Sequence, residues 1–415
     1  MRVWIQGGLH GNEPASTEGV LFLIDQLLNN PEHAALLDAF DYGIVPMANI
    51  DGYEKQDRYA ADGMDLNRDQ TKLMEPESQY LKKAFSDFNA DIALDFHEYR
   101  PYRRDYAQLG DWGVTGAFDV MFLYSGNLNV PESLRNYTRE HFVAAAEKRM
   151  DELGFSHHNY FSSDEYYNEI QLNEGSTNAR SSATSYALSN CISTLVEVRG
   201  VGLGRTSFKR RTYITFNVAM SYLNYAYQNQ NEVRAELMKS RTYARSQVVI
   251  TSDKTIDGVV MTFIDNNTQQ LTQIELVVND AWRSVPDLTR KCPAAYIILP
   301  GNDEVVKRLE ILGIVFERLA NAQTVQVENY TVTDYFRDVE KYEGVHRQKV
   351  KTELALQQKT IPAGSTIVYM DQPRAGLAAE VLEPEAINSF VSFNVIATAL
   401  GDELPVYRYL MNKKL

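Results

Sequence analysis

Residues 3–13 read VWIQGGLHGNE, and the fold is decided by how this stretch is parsed. Residues 3–5 are a strand-forming run, and Gly7-Gly8 ends it. Ser16 or Thr17 is then placed to cap a helix in which Val20, Leu21, Leu23, Ile24, Leu27 and Leu28 follow i, i+3, i+4 spacing. Strand, glycine turn and amphipathic helix together make the unit of an α/β fold. The alternation continues with a strand at 42–47, a helix opened by Pro76 and Glu77, and a strand at 92–96. A helix at 143–153, a strand at 194–198 running into Gly200, and a helix at 215–227 complete it. The expectation is an α/β domain over residues 1–240, with a mixed, largely parallel sheet flanked by helices.

Beyond residue 240 the pattern changes. Short β-like runs at 248–250, 259–263, 274–278, 296–299, 325–327 and 366–369 are separated by turns. A single clear helix, 304–312, is closed by Gly313. Residues 241–415 therefore read as a β-rich accessory domain. A chain of 415 residues with 44% hydrophobic and 23% charged residues has ample material for two or three cores, which excludes bulk disorder. The net charge of −14 repels duplex nucleic acid, and Lys209-Arg210-Arg211 is too short a cluster to reverse that field. Two cysteines, Cys191 and Cys292, exclude a disulfide scaffold and a cysteine-only zinc cluster. No window approaches the ~18 consecutive apolar residues of a membrane span.

Among seven histidines, two stand where metal ligands are expected. His10 and Glu13 lie three apart in a glycine-flanked loop directly after a strand, so imidazole and carboxylate can converge on one ion. His97 ends a strand in Asp95-Phe96-His97-Glu98, where period-two geometry puts Asp95 and His97 on one face. Glu98 then points the other way, with solvent or Arg100 as its expected partner. Two histidines and one carboxylate with a fourth position open form a catalytic zinc set. His157-His158 sits in a polar loop and reads as solvent-exposed. Glu197, inside an apolar strand, is costly to bury unless it has a chemical task or pairs with Arg199.

The runs GGLHGNE, NIDGYEKQDRYAADGMDLNRD, DFHE and TLVEVRG occur in that order between residues 7 and 200. In this the chain resembles the zinc carboxypeptidases of the M14 type. The resemblance implies one zinc per chain on His10, Glu13 and His97, with Asp65 orienting His10. It further implies that Asn67 and Arg68 grip the free C-terminal carboxylate of a peptide, that Arg58 stabilises the oxyanion, and that Glu197 is the general base. The 175–190 stretch corresponds to the family's mobile substrate loop, in which Tyr186 and Arg180 are candidates to touch substrate. The implied activity is hydrolysis of the C-terminal peptide bond by a metal-activated water. Zinc deacylases of acyl-aspartate or acyl-glutamate and cell-wall peptide amidases share the loop and remain rival readings, as does an inactive metal-binding module. Family members place one or more strands ahead of the glycine–histidine loop's strand. A segment upstream of Met1, with a secretory signal, is therefore one expectation, and a fold trimmed at one edge is the other.

Overall fold

The apolar run near the start of the chain becomes the strand Arg2–Gly7, buried over its last five residues. The computed structural model describes residues 1–167 and 169–415. Arg2–Gly7 lies inside a six-stranded sheet ordered Asp41–Val45, Arg2–Gly7, Ile92–Tyr99, Ile192–Arg199, Val120–Tyr124, His157–Asn159. The first four strands are mutually parallel, and Val120–Tyr124 runs antiparallel to Ile192–Arg199. Ile92–Tyr99 and Val120–Tyr124 are buried at almost every position, as strands are when helices cover both faces of a sheet. The expected α/β core is present.

The helix after the glycine loop spans Pro14–Asn29 and begins ahead of the expected caps, Ser16 and Thr17. Proline suits a first helical turn, where its missing N–H costs nothing. Ser16 is buried within that turn; its hydroxyl donates to the Glu13 carbonyl (2.6 Å) and accepts from Gly8 N–H (3.0 Å). The helix packs on Phe208–Gln228 at Gly19, where any side chain would run into Thr215. That second helix starts earlier than the apolar spacing suggests and buries Arg211 in its first turn.

The runs at 248–250 and 259–263 turn out to be parts of one long strand, Gln247–Asp265, paired antiparallel with Leu271–Lys291. Much of this hairpin is solvent-exposed, so its polar stretches hide its length from an apolar-run reading. It joins Val114–Gly116, Glu169–Glu174 and Phe161–Tyr166 in a five-stranded sheet. A third sheet is ordered Glu317–Arg318, Thr366–Tyr369, Ala295–Ile298, Glu403–Tyr409, Gln323–Arg337, Gln348–Ile361. Gln348–Ile361 escapes a sequence reading because its few apolar residues alternate with lysine, glutamate and glutamine. Gly313, with φ of 67°, follows the helix Asp303–Ile311 as anticipated.

One apolar cluster runs from Val3, Ile5 and Ile92 through Leu223 to Tyr296, Ile298 and Leu377. Polar links accompany it. Asn129 donates to the Val249 carbonyl (2.7 Å), accepts Val249 N–H (3.0 Å) and donates to Glu380 Oε1 (2.8 Å). Asn129→Ala leaves all three groups without that partner, and a buried unsatisfied group costs ~1–3 kcal/mol. The expected outcome is a loss of stability in that range, measured by urea unfolding, with the fold retained.

Candidate active site

The strand order brings the expected groups together at the carboxyl ends of the parallel strands, where open α/β sheets place their sites. Gly8, at φ of 66°, turns the chain out of Arg2–Gly7. Gly11 lets the loop lie against the Gly52 carbonyl, where a side chain would collide. His10 and Glu13 are thereby fixed beside His97 on the neighbouring strand.

Glu13 bridges the two imidazoles. Its Oε1 is 2.8 Å from His10 Nδ1, its Oε2 is 2.8 Å from His97 Nδ1, and it also accepts Glu98 N–H at 3.1 Å. The ligand atoms of His10, Glu13 and His97 all lie within 4.8 Å of one another, and all three residues are buried. Behind them, Asp65 Oδ1 holds His10 Nε2 at 3.0 Å and Asp95 Oδ2 holds His97 Nε2 at 2.9 Å. A carboxylate facing each Nε2 selects the tautomer with its proton there, assigned from this network. With both rings neutral, the two Nδ1 lone pairs and the Glu13 carboxylate are three electron-pair donors facing one another. A divalent cation satisfies such a set. The field agrees. Burial disfavours charge on His97, yet Asp95 and Glu13 outweigh it and raise its pKa well above the usual imidazole value. Burial likewise raises Glu13 and Asp65, but their histidine partners hold both below the usual carboxylate range. The residues fit a zinc ion.

Arg58 donates from Nε to Asp65 Oδ2 at 3.0 Å and sets Nη1 3.5 Å from Glu13 Oε1. Asn67 accepts Ser182 N–H on Oδ1 at 2.8 Å, so its amide N–H₂ is left for another acceptor. Arg68, next along, forms no ion pair among the described residues. Glu197 pairs in register with His97 across the two parallel strands and so shares its face. The alternative partner, Arg199, instead donates to the Gly116 carbonyl at 3.1 Å. Burial and the nearby Glu13 push the Glu197 carboxyl up to about 7, against the pull of His97, His10 and Arg58. His10, Glu13, Arg58, Asn67, Arg68, Arg180 and Glu197 line a single cleft of about 570 Å³.

Tyr186 is not in that cleft, contrary to the expectation that it touches substrate. It is fully buried, stacked on Phe85 at 3.9 Å between ring centroids, with Lys82 Nζ 4.8 Å from its ring. Its hydroxyl donates to Gln6 Oε1 (3.0 Å), and Gln6 Nε2 donates to Asp95 Oδ1 (3.0 Å). Tyr186 thus ends a chain of hydrogen bonds that leads to His97. Glu98 does point away from the ligands, but its partner is the buried Arg211 (2.5 Å) rather than solvent or Arg100, and it also accepts Ala15 N–H (2.9 Å). Asp95 was visible in its period-two spacing from His97. Glu343, which accepts Asp65 N–H at 3.0 Å from 278 residues away, left no local signal.

A buried two-histidine, one-glutamate donor set beside a carboxylate with no ion pair among the described residues is the arrangement of a metal-dependent hydrolase. A model of the zinc carboxypeptidase family matches residues 1–104. Carboxypeptidase 2 of Trichophyton tonsurans is 34% identical over 98% of this chain and 76% of its own length, and the Trichophyton rubrum protein of that name agrees equally well. A metallo-carboxypeptidase from Pseudomonas aeruginosa, solved in complex with (2-guanidinoethylmercapto)succinic acid, aligns over 56% of this chain and 58% of its own at 20% identity and a TM-score of 0.41. The chain belongs to the zinc carboxypeptidase family. It is a metallocarboxypeptidase, and the deacylase, cell-wall amidase and inactive-module readings are not favoured.

The Glu98–Arg211 contact generates a stability test. Glu98→Gln leaves a buried guanidinium without its counter-charge, and breaking such a pair typically costs ~3–5 kcal/mol. The variant is expected to unfold at markedly lower urea, while turnover per folded molecule stays near wild type because the Glu98 side chain faces away from the ligands.

Proposed function

We propose that His10, Glu13 and His97 hold one zinc ion per chain, and that Glu197 is the general base for hydrolysis of the last peptide bond of a peptide with a free C-terminal carboxylate. The observation that carries this is the pairing of His97 with Glu197 in adjacent strand register. It sets beside the donor cluster a carboxylate that forms no ion pair among the described residues. Bound zinc supplies Lewis acidity, which makes a water molecule and the scissile carbonyl more reactive.

The chain's own residues supply the rest. Glu197 takes the proton of the attacking water and returns it to the leaving amine, a role suited to a carboxyl whose pKa lies near neutrality. Arg58, held by Asp65, directs Nη1 towards the ligand cluster and donates to the oxygen on which negative charge develops. Arg68 matches the planar fork of its guanidinium to the terminal carboxylate, and Asn67 adds its amide N–H₂. Residues 1–240 carry these groups, and residues 241–415 form the accessory part whose loops brace them.

Glu197→Gln is nearly isosteric and removes proton acceptance. Turnover should fall by ~10²–10⁴, the usual contribution of general base catalysis. Elemental analysis should still find one zinc per chain in variant and wild type. Retained turnover, or zinc lost with it, would refute the assignment. A second outcome concerns polarity: amidated peptides should be cleaved far more slowly than the matching free acids, measured as kcat/KM. Equal rates remove the carboxylate-gripping roles of Asn67 and Arg68.

A further inference from the structure

Arg180 is a cation of the cleft that the reaction above does not use. Its backbone is laced to the segment that carries Asn67 and Arg68. Gln70 N–H donates to the Arg180 carbonyl (3.1 Å), and two residues on, Ser182 N–H donates to Asn67 Oδ1 (2.8 Å). Arg180 and Arg68 therefore enter one cleft from two bonded segments.

Among the described residues, the Arg180 guanidinium has neither an ion pair nor a hydrogen bond. It lies over the ring of Tyr342, 4.9 Å from the centroid, and Arg347 lies 4.6 Å from the same ring. Arg347 is already paired with Asp338 at 2.8 Å. Glu343 beside Tyr342 is engaged with Asp65 N–H. Elsewhere in the cleft, Arg103 is paired with Asp105, and Lys254 donates to Asn173, which in turn donates to Asp164. Arg180 is thus a guanidinium steadied by an aromatic face, open to the cleft, and lacking an anion. Stacking of this kind limits the rotamers a side chain must give up on binding.

We propose that Arg180 is a specificity residue that selects peptides whose C-terminal residue has an acidic side chain. Such a residue presents two carboxylates a few bonds apart, one for Arg68 and one for Arg180. A guanidinium binds a carboxylate through paired hydrogen bonds that the isosteric amide cannot match in charge or in acceptor count. The idea rests on the reading of Asn67 and Arg68 as the grip for the terminal carboxylate.

The test compares kcat/KM for two peptides that differ only in ending with Glu or Gln. In wild type the Glu peptide should be favoured by at least about tenfold. In Arg180→Met, which keeps a stem over Tyr342 but no charge, that ratio should fall towards one. A wild-type ratio at or below one overturns the proposal, and this reading needs no variant to fold. A variant that slows both peptides equally also overturns it, because Arg180 then serves the carboxylate that every substrate shares. Failure of the underlying grip shows separately, as amidated peptides cleaved as fast as free acids whatever the Glu to Gln ratio.

Discussion

A carboxylate taken out of water between two imidazoles is tolerated only where every neighbour is committed to it, and Glu13 sits in such a place. Both its oxygens are engaged by His10, His97 and the Glu98 backbone. Asp65 and Asp95 stand behind the two rings and fix which nitrogen faces forward. The cluster concentrates negative charge in a low-dielectric interior, which favours a cation at its centre. The fold's tight turns at Gly8 and Gly11 and the parallel alignment of the central strands all serve this contact. Moving any one ligand by a residue would break it.

The same logic extends outward along hydrogen bonds. Gln6 and Tyr186 support Asp95 from the core side of the sheet, so a tyrosine with no access to substrate still bears on the geometry of His97. On the other side, Arg58 spans Asp65 and Glu13, tying the donor cluster to the carboxylate behind His10. The C-terminal region also reaches in. Tyr342 and Glu343 lie in the turn between Gln323–Arg337 and Gln348–Ile361 and touch Arg180 and Asp65. Leu271–Lys291 pairs with Glu169–Glu174 within the five-stranded sheet, and Asn129, which follows the central strand Val120–Tyr124, bridges to Val249 of the same sheet.

Much of this was legible in the chain before any fold was known. The types and order of the donors, the glycines that let His10 and Glu13 converge, and the shared face of Asp95 and His97 all follow from local rules of turn and strand geometry. The strand–helix alternation of the central sheet was likewise written in apolar spacing, because buried strands and amphipathic helices leave strong periodic signals. What stayed hidden depends on contacts between distant segments. Register across two parallel strands is what puts Glu197 beside His97, and no local pattern encodes register. Tyr186 and Arg211 are a phenol and a guanidinium with nothing in sequence to show that packing buries them. The long hairpins of residues 241–415 alternate polar and apolar residues weakly because much of their surface meets water. Sequence alone determined which chemistry was available; the tertiary structure decided which groups meet, since burial, register and ion pairing arise only when segments far apart in the chain are brought face to face.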